Sequence, residues 1–330
     1  MRVKRKPQAV DDLEASVIAP SGEQIEIRAE DQQAVIVTVG GGLRSYVVGG
    51  HGLLDGYGAD EMSTSGRGQV LIPWPNRLQD GSYEFGGRRH QLPLNEPMRR
   101  NAIHGLVRWS TWTVAERQPH RVVMEHVLYP QPGYPFSLGI SIDYALSRNG
   151  LLVRTTATNL GAQACPFGSG AHPYLTLGTA TIDGLILQAP GGTVLRSDER
   201  GLPVGRQAVA GTDYDFRRAK RIGPIKLDHA FTDLERDADG VARVELCDSS
   251  RDRRISLWVD HSYPYLMLFS GDPLPDVARR SLAVEPMTCP PNAFRTGEGL
   301  IRLEPRASFT GRWGIAHASA GAQPNLAASP

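Results

Sequence analysis

Residues 138–150 read "LGISIDYALSRNG". Leu138, Ile140, Ile142, Tyr144 and Leu146 alternate with Gly139, Ser141, Asp143 and Ala145, and the run ends at Asn149-Gly150. Period-two alternation is the pattern of a strand with one buried face, and an Asn-Gly pair supplies the positive φ of a two-residue hairpin turn. The same reading extends outward to "QIEIRA" (24–29), "AVIVTV" (34–39), "RVVMEHVLY" (121–129), "VARVELCD" (241–248) and "RRISLWVD" (253–260). Gly86-Gly87 and Asp239-Gly240 punctuate such runs in the same way. About a dozen strand candidates and almost no helical periodicity predict an all-β fold, a large twisted antiparallel β-sandwich.

The chain has 330 residues, 36 of them Gly and 24 Pro, with 40% hydrophobic and 22% charged residues. That is globular composition, and large all-β domains commonly exceed about 200 residues as one unit. With no linker or fixed-period repeat, a single domain over 16–316 is expected. Residues 1–15 and 317–330 hold too little apolar surface to pack and are expected as loose ends. A formal charge of +1 gives no reason to expect a nucleic-acid partner. No apolar run approaches the roughly 18 residues of a membrane span, and none follows the basic "MRVKRKP" start as a secretion signal requires. Cys165, Cys247 and Cys289 lie far apart, which suits reduced thiols in a cytoplasmic protein. Exposed sheet edges are compatible with a monomer or a homodimer.

Polar side chains in unusual surroundings mark where chemistry belongs. "LAVEPMTCPPNAF" (282–294) is an apolar run that stops at Glu285 and then meets prolines. A buried carboxylate there needs a partner or takes a raised pKa. "LIPWPNRLQDG" (71–81) carries Asn76 and Arg77 after a Pro-Trp-Pro segment. "NAIHGLVRW" (101–109) places His104 beside a glycine that permits close backbone approach. "GSGAHPYL" (168–175) places His172 between small residues and Pro173, and "IKLDHAFTDL" (225–234) sets Asp228 and Asp233 in a strand-like run.

Singly, each fits an ordinary role: a turn, a core histidine, an Asx cap, or an ion pair between Arg77 and Glu285. Together, two histidines, carboxylates, an amide and a guanidinium, with Trp74, Trp109, Tyr174 and Phe294 near in sequence, suit a carbohydrate site. Sugar hydroxyls need forked donors and acceptors, and sugar C–H faces pack on aromatic rings. A metal site built on His104, His172 and Asp228 lacks H-x-H or H-E-x-x-H spacing, so no metal is expected. The glycines of "GGGLRSYVVGG" (40–50) link two strand-like runs and open no helix, which makes a poor phosphate cradle.

The series N-R (76–77), I-H-G (103–105), G-A-H-P-Y-L (170–175), L-D-H-A-F-T-D (227–233) and V-E-P-M-T-C-P-P-N-A-F (284–294) resembles the aldose 1-epimerase (galactose mutarotase) family in order and spacing. The resemblance runs from about residue 20 to 316 and is nearest to bacterial members with HPYL and EPMTCPP motifs. It implies a β-sandwich with an open cleft, no cofactor and a free monosaccharide as substrate. Carried onto this chain, Glu285 resembles the general base, His172 the general acid and His104 a second active-site histidine. Arg77 and Asp228 resemble the residues that hold the sugar, with Asn76 their neighbour. The reaction implied is exchange of α and β anomers of an aldohexose such as glucose or galactose. The rival readings are a mutarotase for an anionic hexose (a 6-phosphate or sulfosugar, read by Arg99 or Arg100), a non-catalytic sugar-binding protein, and a glycoside hydrolase using Asp228 or Asp233 as a second carboxylate.

Overall fold

A computed structural model describes residues 18–319, of which the last two are described by backbone alone. Among these residues are 27 strands, one helical turn Ala293–Thr296 and one 3₁₀ turn Pro97–Arg99. Ten of these strands are pieces of two or three residues, too short for a period to register. The expected tail at 1–15 lies outside the described residues. At the other end, the strand Ser308–Ser319 pairs with Arg253–Val259 up to its last residue, so strand pairing extends into 317–319.

Two large antiparallel sheets dominate. The first has nine strands in the order Thr113–Gln118, Arg121–Leu128, Leu138–Ser147, Gly150–Asn159, Ser308–Ser319, Arg253–Val259, Ala242–Asp248, Ile186–Gln188 and Lys220–Arg221. Leu138–Ser147 alternates without a break, with Leu138, Ile140, Ile142, Tyr144 and Leu146 facing the core. The hairpin after it differs from expectation by one residue. Ser147 pairs with Gly150, so the loop is Arg148-Asn149 and only Gly150 takes positive φ, at +104°. Asp239-Gly240 is no hairpin tip either: it lies in the 235–241 loop that joins the two large sheets. The 40–50 glycine segment contains a strand of its own, Leu43–Val48, in a four-stranded N-terminal sheet.

The second large sheet has eight strands and carries the candidate site. Its main path runs Pro203–Ala208, Gly191–Ser197, Asp228–Leu234, Tyr265–Phe269, Leu282–Met287, Gly170–Ala171 and Val70–Leu71, with Tyr174–Leu175 also paired to Leu282–Met287. Leu282–Met287 is buried at every position, as a central strand covered on both faces should be. One face, through Leu282, Val284, Leu266, Leu268, Phe231 and Val194, joins a contiguous core that extends from Ile25 to Ile315. The other face carries a smaller apolar cluster of Leu195, Ala230, Tyr265, Met267 and Met287.

The strand does not stop at Glu285 as its prolines suggest; Pro286 pairs within it, opposite Leu266. Its missing N–H lies on the same side as that of Val284, which bonds the Pro173 carbonyl at 3.1 Å. On that side the neighbouring ladder is already broken into Gly170–Ala171 and Tyr174–Leu175, so the sheet tolerates a proline there.

Candidate active site

Strand register brings the two most suspicious residues together. Gly170 pairs with Met287 and Tyr174 with Ala283, and three residues intervene on each strand, which sets His172 opposite Glu285. Their side chains meet at 3.3 Å, His172 Nε2 to Glu285 Oε1. Both are nearly dry, at 4% and 2% exposure. Met267 pairs with Glu285 and also with Ala230, so the apolar cluster is the floor beside this pair. Asp228 pairs with Phe269 two residues along the strands, on the same face.

The His172 ring is held from three sides. Tyr174 stacks on it at 4.9 Å and 14°, and the Arg67 guanidinium covers the Tyr174 ring at 4.6 Å. Gly66, at φ +79°, leaves the space: a Cβ there would sit 2.6 Å from His172 Cδ2. Gln69 accepts the His172 backbone N–H at 3.1 Å.

His104 comes from a loop. It takes a left-handed φ of +63°, and Gly105 beside it presses against the Ile72 backbone, where a Cβ would meet the carbonyl oxygen at 2.1 Å. Asn76 holds it twice: the Asn76 N–H donates to His104 Nδ1 at 3.2 Å, and the Asn76 carbonyl accepts the His104 N–H at 3.0 Å. With Nδ1 accepting, the neutral ring carries its proton on Nε2. The two histidine rings meet edge to face at 5.3 Å.

Electrostatics push the buried groups toward neutrality. Burial raises the Glu285 carboxyl well above its ordinary pKa, the Asp228 charge adds to this, and Arg77 acts in the opposite direction. Burial, then the Arg108 charge, pushes His172 down to about 3. Burial and the neighbouring His172, Arg108 and Arg77 hold His104 well below the histidine range. Glu285 Oε2 and His172 Nδ1 are buried with no hydrogen-bond partner among the described residues. Buried polar atoms of this kind are costly, and a polar ligand reaching them would satisfy them.

The other expected residues take different places. The Arg77 guanidinium grips Glu96 through Nε (3.0 Å) and Nη2 (3.1 Å), so its ion-pair partner is Glu96 and not Glu285. Its Nη1 lies against Gly201, where a Cβ would approach within 2.5 Å. Asn76 Oδ1 accepts the Arg77 N–H at 2.8 Å, which makes Asn76 a brace for both His104 and Arg77. Asp228 stands at the rim, its side chain 38% exposed and 3.9 Å from Arg99. Arg99 therefore faces a carboxylate, and Arg100 offers its carbonyl to Arg200. Asp233 is exposed.

Of the four aromatics, Trp74 and Phe294 are buried against each other at 5.4 Å, while Tyr174 backs His172 and Trp109 is half exposed. The compact group with metal-ligand atoms is His104, His172 and Glu285, all within 4.8 Å of one another; Asp228 is not among them. Sequence reasoning missed Gly66, Arg67 and Gln69, which sit together in "SGRGQV" (65–70), and also Glu96 and Arg108. Two glycines around an arginine just before a strand were the available signal.

Residues 23–315 match the family described as Aldose 1-epimerase. The uncharacterized protein YihR of Escherichia coli K12 is 37% identical over 285 residues, covering 86% of this chain and 90% of that protein. An aldose 1-epimerase of the same organism is 28% identical over 231 residues, covering 62% of this chain and 63% of its own length. The solved structure of the GalM/aldose epimerase homologue from C. elegans superposes with a TM-score of 0.80 at 18% identity, over 90% of this chain and 99% of that one, a match of fold.

Proposed function

The chain belongs to the aldose 1-epimerase family and is an enzyme of the isomerase class, and on that premise we propose that it interconverts the α and β anomers of a free aldohexose such as glucose or galactose. The observation that carries this reading is the buried Glu285–His172 pair, 3.3 Å apart beside the apolar cluster that includes Met267 and Ala230. Ring opening requires a proton to leave the C1 hydroxyl while another reaches the ring oxygen. Glu285 takes the first through Oε2, the C1–O5 bond breaks as C1 becomes a carbonyl, and His172 delivers the second to O5. After rotation about C1–C2 the same two groups act in reverse on the other carbonyl face.

The charge balance of the pair fits the task. Burial favours an uncharged pair, a protonated carboxyl beside a neutral imidazole. Shifting that one proton from Glu285 to Nε2 gives the carboxylate base and imidazolium acid without exchange with solvent. Arg77 assists, because its charge favours the carboxylate. His104, with its proton on Nε2, is a neutral donor for the ring oxygen or a hydroxyl. Arg77 and Asp228 hold the sugar, and no cofactor enters the scheme.

Polarimetry on freshly dissolved α-glucose and α-galactose tests the activity. Relaxation should accelerate in proportion to protein added, whereas a protein that only binds sugar would leave it at the solvent rate.

A second reading rests on Arg108. Its guanidinium has no carboxylate within 4 Å among the described residues; it donates to Gln69 Oε1 at 3.0 Å, beside the histidine pair. An unpaired arginine at a sugar site suits an anionic hexose, and it replaces Arg99 and Arg100 as the group that would read one. If glucose 6-phosphate is exchanged far faster than glucose, and Arg108→Gln abolishes that preference, this reading replaces the neutral one.

A further inference from the structure

The Asp55 carboxylate reaches both chain segments that carry the Glu285–His172 pair. Asp55 follows an isolated bridge between Leu54 and Leu175, and its N–H donates to the Tyr174 carbonyl at 2.9 Å. Gly56 next to it lies against the Arg44 backbone, where a Cβ would come within 2.0 Å of the carbonyl oxygen. The Asp55 backbone is thus fixed beside Tyr174, and its side chain is largely buried, at 12% exposure.

That carboxylate accepts hydrogen bonds from two directions. Oδ2 accepts Arg67 Nη2 at 3.4 Å, and Arg67 is the buried guanidinium that lies over the Tyr174 ring stacked on His172. Oδ2 also accepts the Ser281 hydroxyl at 2.7 Å, and Arg280 closes on the two oxygens at 2.8 and 3.1 Å. Ser281 is buried and directly precedes Leu282–Met287, the strand of Glu285.

Both arms bear on the pair. Among the described residues Arg67 has no other carboxylate within 4 Å, and its Nε is buried without a partner, so Asp55 alone balances its charge. An imidazole is commonly oriented by a hydrogen bond at its second nitrogen, but His172 Nδ1 has no such partner among the described residues. The stack on Tyr174 therefore takes over that task. Tyr174 is held in turn by its hydroxyl, which donates to the Ser65 carbonyl at 2.8 Å, and by the cation over its ring.

We propose that Asp55 is a positioning residue for the Glu285–His172 pair, setting the His172 ring through Arg67 and Tyr174 and the Glu285 strand through Ser281 and Arg280. The effect on rate rests on the mutarotase reading; the effect on ring placement does not.

Two measurements on the full chain test it. Anomer-resolved NMR with α-glucose gives kcat and KM. Histidine-selective labelling gives the His172 ring-proton shifts, with the signal identified by its loss in His172→Asn. Asp55→Asn should lower kcat about 10–100-fold with KM nearly unchanged, and should move the His172 signal downfield as the ring leaves the face of Tyr174. Arg67→Met guards against a folding failure of Asp55→Asn, because it removes the buried cation while Asp55 keeps Arg280 and Ser281. The same two effects are expected there, and Arg67→Lys, which keeps a cation over the ring, should restore most of the rate. An unmoved His172 signal in Arg67→Met, or a change confined to KM, overturns the proposal. So does an equal loss of kcat in Arg67→Lys and Arg67→Met. If the wild-type chain leaves glucose at the solvent rate, the mutarotase reading falls instead, and the His172 signal by itself decides the role of Asp55.

Discussion

At the floor of the candidate site, Glu285 and His172 are almost dry and face each other across paired strands. At the rim, Asp228 and Arg99 are more than a third exposed, 3.9 Å apart, and the Arg77–Glu96 clamp comes from loops and two- to three-residue strands. The floor is stabilised by sheet register, so its geometry is fixed at the expense of buried polar atoms left without partners. The Asp228–Arg99 pair is wet and contributes little to folding, whereas the two-pronged Arg77–Glu96 clamp is largely buried. Under the proposed mutarotase function, proton transfer belongs to the floor, where low dielectric shifts pKa values, and sugar selection to the rim.

Floor and rim should separate most visibly in kcat. His172→Asn should lower kcat by about 10²–10⁴-fold, the range of a general acid, with KM nearly unchanged. Full retained rate would move the acid elsewhere. Gly66→Ala pushes a methyl into the His172 ring and should lower kcat by about 10–100-fold through misplacement alone. Rim changes should act on KM instead. Asp228→Asn removes one charged hydrogen bond, worth ~1.5–3 kcal/mol, and should raise KM about tenfold or more while kcat holds. A kcat loss as large as that of His172→Asn would place Asp228 in the chemistry and dissolve the distinction.

Protonation sharpens the same contrast. The pair works while it holds one proton. Activity should therefore fall on the alkaline side as pH passes the raised pKa of Glu285, and on the acid side only near about 3, where His172 takes a second proton. Stability gives the smallest effect. Because the folded pKa of Glu285 is raised, its contribution is unharmed below the unfolded value of about 4.3 and is lost as pH rises through the folded value. Glu285→Gln should thus raise the melting temperature at neutral pH by a few degrees, roughly 4, and by nothing near pH 4. An equal gain at both pH values would mean the glutamate is not strained by its burial.

The floor was legible because it follows from strand patterning. Alternation in 138–146 and 253–260 gave the sheets, and Glu285 and His172 stood out as polar residues inside apolar runs. The family resemblance supplied the roles proposed for them, which residue chemistry alone left open. The rim was only partly legible. Arg77 was visible, but its partner Glu96 lies 19 residues away across a loop, and no local pattern predicts that pairing. Arg108 was not singled out in the sequence, because only the fold sets it beside Gln69 and the histidines. Trp74 read as a sugar platform from its neighbours, yet packing against Phe294 buries it.

The proposed mechanism makes Glu285 and His172 one proton-sharing unit. Anomer exchange by NMR in Glu285→Gln, His172→Asn and the double variant tests it directly. Each single change should lower kcat by about 10²–10⁴-fold, and the double variant should be no slower than the slower single one, as for residues that work as a unit. Near wild-type exchange in Glu285→Gln, or losses that multiply in the double variant, would contradict it.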